Sequence, residues 1–127
     1  MTRRRWLLLF AAILAALGGL WWSRRGGLDA AASLLVEIFG ARDSAAAVGT
    51  EVLKSLPAGT AAEHLVLAIA QAIDAEPRGL AEMSEANLRV QLQARIGAEH
   101  LSGDTVSVQG WELAVTEARL CALAALL

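Results

Sequence analysis

The sequence predicts a mainly α protein: an N-terminal membrane or signal helix, then a small four- to five-helix bundle with a short β element before the last helix. Ala and Leu dominate the composition, and the chain has no Tyr and only two Phe, which favours helix over sheet. Residues that start and stop helices recur along the chain. From residue 105 the spacing of apolar residues changes from helical to alternating.

Residues 1–27 are predicted to form a signal or membrane-anchor segment, and residues 28–127 a small helical domain. No charge interrupts residues 6–22, and a helix of that length would span roughly 25 Å, the lower limit for crossing a bilayer. Trp residues at both ends of this run suit the two membrane interfaces. Because three Arg precede the run and two follow it, we expect attachment to the bacterial inner membrane through residues 6–22, with the domain facing the periplasm.

The first residues resemble the bacterial twin-arginine export motif, which assigns targeting roles to Arg3, Arg4, Trp6 and Leu7. Trp6 stands where Phe is usual, and an ordinary uncleaved anchor with a basic flank is the alternative. A small-x-small cleavage site exists at residues 30–32, but it lies about ten residues beyond the apolar run, farther than is usual for cleavage. Retention in the membrane and cleavage with export to the periplasm therefore both stay open.

The charge distribution limits the classes of partner that the domain is expected to bind. All thirteen Asp and Glu residues lie from Asp29 onward, together with six of the eleven Lys and Arg residues, an excess of seven negative charges. Such a balance argues against nucleic acid and anionic lipid as partners. The single cysteine, Cys121, excludes an internal disulfide.

Local signals predict five helices, over residues 30–39, 44–56, 61–73, 85–100 and 117–127. The N-terminal caps assigned to them are Asp29, Asp43 or Ser44, Thr60 in a capping box with Glu63, Ser84, and Thr116. Gly40, Pro57 and Gly103 supply the ends of three of these helices. Residues 105–113 read as a short strand, or as an extended pair bent at Gly110.

The third and fourth helices differ in their apolar patterns. The third carries a single apolar stripe that includes Leu65 and Ile69, with Leu67 on the opposite, polar side. The fourth carries two stripes, which consist of Leu88, Leu92 and Ile96, and of Val90, Ala94 and Leu101. A helix with two apolar stripes is predicted either to form the centre of the bundle or to carry a partner-binding face.

No arrangement of residues indicates a reaction, so no catalytic, metal-binding or cofactor-binding residue is assigned and no cofactor is predicted. Neither a His-Glu-x-x-His nor a Cys-x-x-Cys spacing occurs. His64 is expected on a polar helix face, and His100 near a helix end. Cys121 lies in an apolar helix, where a buried small side chain is expected, and Glu117 one turn earlier would raise the pKa of its thiol.

The C-terminal residues resemble a signature of small, poorly characterised bacterial proteins that bear a twin-arginine-type leader. The signature reads roughly Gly-Trp-x-Leu-Ser-x-Thr-Glu-Ala-Arg-x-Cys-Ala. The matching positions here are Gly110, Trp111, Leu113, Thr116, Glu117, Ala118, Arg119, Cys121 and Ala122. Ala114 stands where Ser is usual, which removes one potential hydrogen bond at the helix entry. No activity accompanies the signature, although some exported oxidoreductases have small helical subunits with such leaders.

The predicted function is that of an exported or membrane-anchored accessory protein, a small subunit or escort of a larger exported enzyme. Trp111, Glu117 and Arg119 are the candidate contacts with this protein partner, since Trp and Arg are favoured interface anchors. Packing of Trp111 at the joint between strand and helix is the alternative. Two other functions stay open: a metal-binding or enzymatic periplasmic domain using His64, His100, Glu63 or Cys121, and a self-associating membrane-anchored structural protein.

Overall fold

The computed structural model describes residues 25–127, with side chains from Leu28 onward. This region contains five α-helices, one 3₁₀ helix and a two-stranded antiparallel sheet. The mainly helical fold with a short β element before the last helix is confirmed, whereas the 3₁₀ helix was not predicted. In chain order they are α1 (Arg25–Phe39), α2 (Arg42–Lys54), α3 (Ala62–Ala72), the 3₁₀ helix (Pro77–Glu82), α4 (Glu85–Ser102), β1 (Thr105–Val108), β2 (Trp111–Ala114) and α5 (Val115–Leu126).

The predicted leader lies outside the described residues. Residues 6–22 belong to that part of the chain, as do the targeting residues Arg3, Arg4, Trp6 and Leu7. Within residues 25–127, no helix combines the length and the apolar character needed to cross a bilayer. Helix α1 continues through the predicted boundary between residues 27 and 28.

Helix α5 lies at the centre of the bundle and packs against each of the other four α-helices. Nearly all of its side chains from Val115 to Ala124 are buried, which its small Ala residues permit on every side. Its closest neighbour is α2, where an added Cβ on Gly49 would lie only 1.8 Å from the carbonyl oxygen of Cys121. The sequence placed α4 as a possible centre of the bundle, and this prediction was wrong, because only one of its two apolar stripes is buried.

Helix α4 has the ends that the sequence predicts. The Oγ atom of Ser84 accepts a hydrogen bond from the Asn87 N–H at 3.2 Å and so caps the first turn. Gly103 closes the other end with φ 78°, a left-handed conformation that glycine adopts without steric cost.

The caps assigned to three other helices were wrong. Helix α1 already includes Asp29, and α2 begins at Arg42, so that both of its proposed caps fall in the first turn. Helix α3 begins after Ala61, whose N–H donates to Nδ1 of His64 at 3.2 Å. The hydroxyl of Thr60 instead donates to the Pro57 carbonyl at 2.7 Å. The capping box of Thr60 and Glu63 is therefore not formed.

Helix α5 begins two residues earlier than predicted, directly after β2. The Oε1 atom of Glu117 accepts from the N–H of Ala114, the residue just before the helix, at 3.2 Å. The first two N–H groups of the helix itself donate to the Asp104 carbonyl and to Glu99. Thr116 was predicted as the cap, but it lies inside the helix and its hydroxyl bonds to another element. The cap was predicted wrongly because the hydroxyl of Thr116 donates a hydrogen bond to Glu99 on α4 and does not bond within its own helix.

The element before α5 is a β-hairpin, the second of the two predicted alternatives. Thr105 pairs with Ala114 and Val108 with Trp111, and Gln109 and Gly110 form the turn with φ values of 48° and 84°. Two positive φ values in a two-residue loop match the right-handed twist of the strands. The hairpin places the start of α5 against the C-terminal end of α4, because the Val115 N–H donates to the Asp104 carbonyl at 3.1 Å.

The apolar pattern of α3 was predicted only in part. Leu65 and Ile69 are fully buried, as expected, but Leu67 is buried as well although it was placed on a polar side. All six residues from Leu65 to Ala70 are buried. Helix α3 is therefore an interior helix, covered on both faces by neighbouring elements.

Candidate functional site

A buried carboxylate joins α4 to α5. Glu99 is only 2% exposed, and its two oxygens accept hydrogen bonds from the Thr116 N–H at 2.9 Å and from the Thr116 hydroxyl at 3.0 Å. The Nε–H of Arg95, one turn earlier on α4, donates to the same carboxylate at 3.2 Å. Three donors thus compensate for the removal of this negative charge from water.

Arg119 brings a second guanidinium to this carboxylate. It lies one turn along α5 from Thr116 and is 5% exposed. Burial is the main reason that the pKa of Arg119 is lowered to about 10; the negative charge of Glu99 opposes this shift, and the positive charge of Arg95 adds to it. The protein therefore holds a buried positive charge close to the buried carboxylate of Glu99.

These residues line a cleft with a volume of about 290 Å³. The floor is buried and consists of Ala68, Glu99, Val115 and Arg119. The rim is more accessible to solvent and consists of Gln71, Ala72, Asp74, Arg95 and Asp104. The cleft thus combines a buried cation with two rim carboxylates, those of Asp74 and Asp104, between α3, α4 and α5.

Asp74 reaches the rim at a local energetic cost. It follows α3 by two residues and has φ 53°, a left-handed conformation in which glycine is usual after a helix. Its negative charge also lies at the C-terminal end of α3, where the helix dipole disfavours an anion.

The three predicted contact residues occupy different environments. Trp111 begins β2 and is 72% exposed, so its indole does not lock the joint between strand and helix by burial. Glu117 is half-buried, accepts from the Ala114 N–H and lies 3.6 Å from Nε2 of His100. Arg119 lies in the cleft floor, away from Trp111's exposed side chain. The structure therefore does not bring the three residues together: Glu117 and Arg119 are two positions apart on α5, so their side chains lie on different sides of the helix, and Trp111 is on the surface.

The remaining candidate residues have structural environments. Burial, assisted by the charge of Glu117, raises the pKa of the Cys121 thiol to about 11, so the thiol is protonated at neutral pH. Partial burial lowers the pKa of His64, against the opposite influence of Glu63. Among residues 25–127, no three His, Cys, Asp or Glu side chains converge in a way that could hold a metal ion.

The second feature of interest is the solvent-exposed side of α4. We call it the outward face, and it consists of Val90, Ala94, Gly97 and Leu101. These residues are spaced by four, three and four positions, so they lie in one stripe along the helix. Val90 is 63% exposed and Leu101 is 93% exposed. The buried residues Leu88, Leu92 and Glu99 lie on the opposite side. The second apolar stripe predicted from the sequence is thus directed to solvent.

Sequence reasoning missed Arg95, Glu99, Asp74 and Asp104. The sequence did contain a signal for Glu99. This residue occupies the same helical stripe as Leu88 and Leu92, and a charged residue on a buried stripe is expected to be paired.

No protein-family model matches the chain, and comparison with curated proteins and with solved structures gave no significant match.

Proposed function

We propose that this chain is an exported or membrane-anchored accessory protein, a small subunit or escort that binds a larger exported enzyme. The observation that carries the proposal is the outward face of α4. Leaving a large aliphatic side chain in water forgoes about 1.5–3 kcal/mol relative to burying it. A continuous exposed apolar stripe is characteristic of surfaces that a partner covers.

The shape of the outward face supports an α-helix as the covering element. Ala94 and Gly97 are small and lie between the larger Val90 and Leu101. Helices approach each other closely where the contacting side chains are small. Trp111, exposed at the start of β2, offers a second anchor of a type enriched at interfaces.

Membrane retention is part of this proposal, and the burial of α1 supports it. The candidate cleavage site, residues 30–32, lies within α1. Leu28, Ala31 and Ala32 are all buried in the core. Cleavage after Ala32 would remove these side chains from the core, and each lost aliphatic group would cost stability. An uncleaved anchor leaves the core complete.

The length of the mature protein tests the retention step. Intact mass measurement of protein isolated from membranes is expected to give a chain that includes residues 28–32. A mature chain starting at Ser33 would contradict the anchor, and would also require α1 to pack without the buried residues Leu28, Ala31 and Ala32.

Partner binding is tested by affinity purification of the tagged full chain from solubilised membranes of its host. We expect one partner in a fixed stoichiometric ratio, lost when Val90→Gln and Leu101→Gln are combined. The matched control is Leu126→Gln with Leu127→Gln, which makes the same apolar-to-polar change at the exposed C-terminus. Recovery of the same partner by the Val90/Leu101 variant would contradict this surface, and recovery of only further copies of this chain would replace the escort role by self-association.

A further inference from the structure

We propose that a groove between the end of α1, α4 and α5 binds a small aliphatic carboxylate, a molecule with one carboxylate group and a hydrocarbon chain. We call it the apolar groove, and its volume is about 190 Å³. It lies on a different side of α4 from the cleft that contains Glu99 and Arg119, and none of its lining residues belongs to the outward face. The proposal therefore does not depend on the accessory role.

The interior of the apolar groove is suited to a hydrocarbon. Ile38, Leu92 and Leu120 line it and are buried, whereas Phe39 and Ile96 line it and are only half-buried. The packing of the helices therefore leaves part of the apolar surface of Phe39 and Ile96 accessible to water. A hydrocarbon chain in the groove would cover this surface, and the gain is proportional to the apolar area removed from water.

One positive charge accompanies the apolar lining. Arg89 is the only ionisable residue among those that line the groove, and it is exposed to solvent. Its guanidinium carries five N–H donors in a planar fork that matches the two oxygens of a carboxylate. A carboxylate at this edge of the groove would form charge-assisted hydrogen bonds, whereas an ammonium group would be repelled.

Gln93 adds a neutral polar group beside Arg89. The two residues are four positions apart on α4, so their side chains are neighbours on the helix surface. The amide NH₂ of Gln93 supplies further donors, and its uncharged oxygen offers a carboxylate far less repulsion than an acidic side chain would. The edge of the groove thus favours an anionic head group next to an apolar interior.

The size of the groove limits the hydrocarbon chain. An apolar protein cavity of about 150 Å³ binds benzene, so a groove of about 190 Å³ can hold a chain of about six carbon atoms. Its volume lies below the usual range of sites for drug-sized molecules, which begins at about 300 Å³. Hexanoate therefore has the size and charge that the groove is expected to bind.

The test uses the full chain in phosphatidylcholine nanodiscs, which avoids free detergent that could enter the groove. Three probes are titrated: hexanoate, hexylamine, which carries the opposite charge on a chain of the same length, and acetate, which lacks most of the hydrocarbon. The readout is the NMR shift of the methyl groups of Ile96 and Leu120, with those of Leu53 on α2 as control. Hexanoate is expected to shift the Ile96 and Leu120 signals saturably and to leave Leu53 unchanged.

Hexylamine and acetate are each expected to bind at least about tenfold more weakly than hexanoate. Hexylamine loses the charge-assisted hydrogen bonds to Arg89, and acetate loses most of the apolar contact. Equal binding of hexanoate and hexylamine would overturn the role of Arg89, and equal binding of hexanoate and acetate would overturn the role of the apolar lining.

Two variants separate charge recognition from folding. Arg89→Gln changes an exposed side chain, so we expect the fold to stay intact and hexanoate to bind at least about tenfold more weakly. Arg78→Gln makes the same chemical change at an exposed position of the 3₁₀ helix and should leave hexanoate binding unchanged. No saturable shift with hexanoate in the wild type, or undiminished hexanoate binding by Arg89→Gln, would overturn the carboxylate site.

Discussion

Glu99 and Thr116 show how single residues connect elements that are distant in sequence. Thr116 gives both its backbone N–H and its hydroxyl to the carboxylate of Glu99, seventeen residues earlier in the chain. Thr116 therefore fixes the start of α5 against α4 instead of capping its own helix. The same contact holds Arg119 beside Glu99, so the geometry of the cleft depends on this one carboxylate.

Removal of the Glu99 carboxylate is predicted to be the most costly single change in this cluster. Glu99→Ala leaves the buried donors of Thr116 without their acceptor and Arg119 without the charge that compensates it, at a cost of about 3–5 kcal/mol. Arg95→Gln is the comparison, because the Arg95 side chain is 44% exposed and its ion pair is expected to contribute less than about 1 kcal/mol. Urea denaturation of both variants measures the difference, and equal losses would refute the importance of the buried carboxylate.

His64 is predicted to make stability depend on pH. Its Nδ1 accepts the hydrogen bond from the Ala61 N–H, which only the neutral ring can do, and burial lowers its folded pKa below 6.5. The unfolded chain therefore binds the proton more readily, so stability is complete above pH 6.5 and decreases as the pH falls through the folded pKa. The free energy of unfolding is compared at pH 7.5 and pH 5.5, with His64→Ala as control.

His64→Ala is expected to lose about 1 kcal/mol at the higher pH, the contribution of one hydrogen bond. At the lower pH the difference between wild type and variant should shrink. A difference that is the same at both pH values would contradict the role of the neutral ring.

At the scale of elements, the close approach of α2 and α5 depends on Gly49. A Cβ at this position would overlap the backbone of Cys121 and Ala122, so the contact requires a residue without a side chain. Cys121 contributes its backbone to this contact, and its side chain is buried. The position of the central helix is therefore set by backbone contact between two helices.

Two glycine substitutions test this packing against helix propensity. Gly49→Ala is predicted to destabilise by about 1–3 kcal/mol or more, because the added methyl group forces the two helices apart. Gly97→Ala is the matched control: nothing lies within 4 Å of its added Cβ, so helix propensity should stabilise it by up to about 1 kcal/mol. Thermal denaturation of both variants shows whether each substitution raises or lowers stability. A stabilising Gly49→Ala would rule out the close contact.

The sequence predicted elements well where their ends are decided locally. Ser84 and Gly103 delimit α4 through contacts with their own neighbours, so both ends of that helix could be predicted. The starts of α3 and α5 could not be predicted, because the hydroxyls of Thr60 and Thr116 bond to the Pro57 carbonyl and to Glu99 instead of capping. The residues just before these helices instead donate their N–H groups to His64 and Glu117. The cleft was missed for a related reason. Arg119 and Glu99 belong to different helices, and only the packing of those helices brings them together.

The whole molecule combines a buried central helix with an apolar stripe left on its surface. Helix α4 contributes one stripe to the core and directs the outward face to solvent, which the sequence anticipated as one of two possibilities for this helix. We propose that the leader anchors the acidic domain to the membrane. A partner that binds the outward face would then be located at the same membrane surface. Coverage of this face would complete the burial of Val90 and Leu101.

Site-specific photocrosslinking at the outward face tests the accessory role most directly. A photoreactive benzoylphenylalanine replaces Leu101 in one sample and Ala47, an exposed residue of α2, in the control, and the full chain is irradiated in its native membrane. We predict one adduct with a larger protein at position 101 and no such adduct at position 47. No adduct at position 101, the same adducts at both positions, or an adduct of twice the mass of this chain would contradict it.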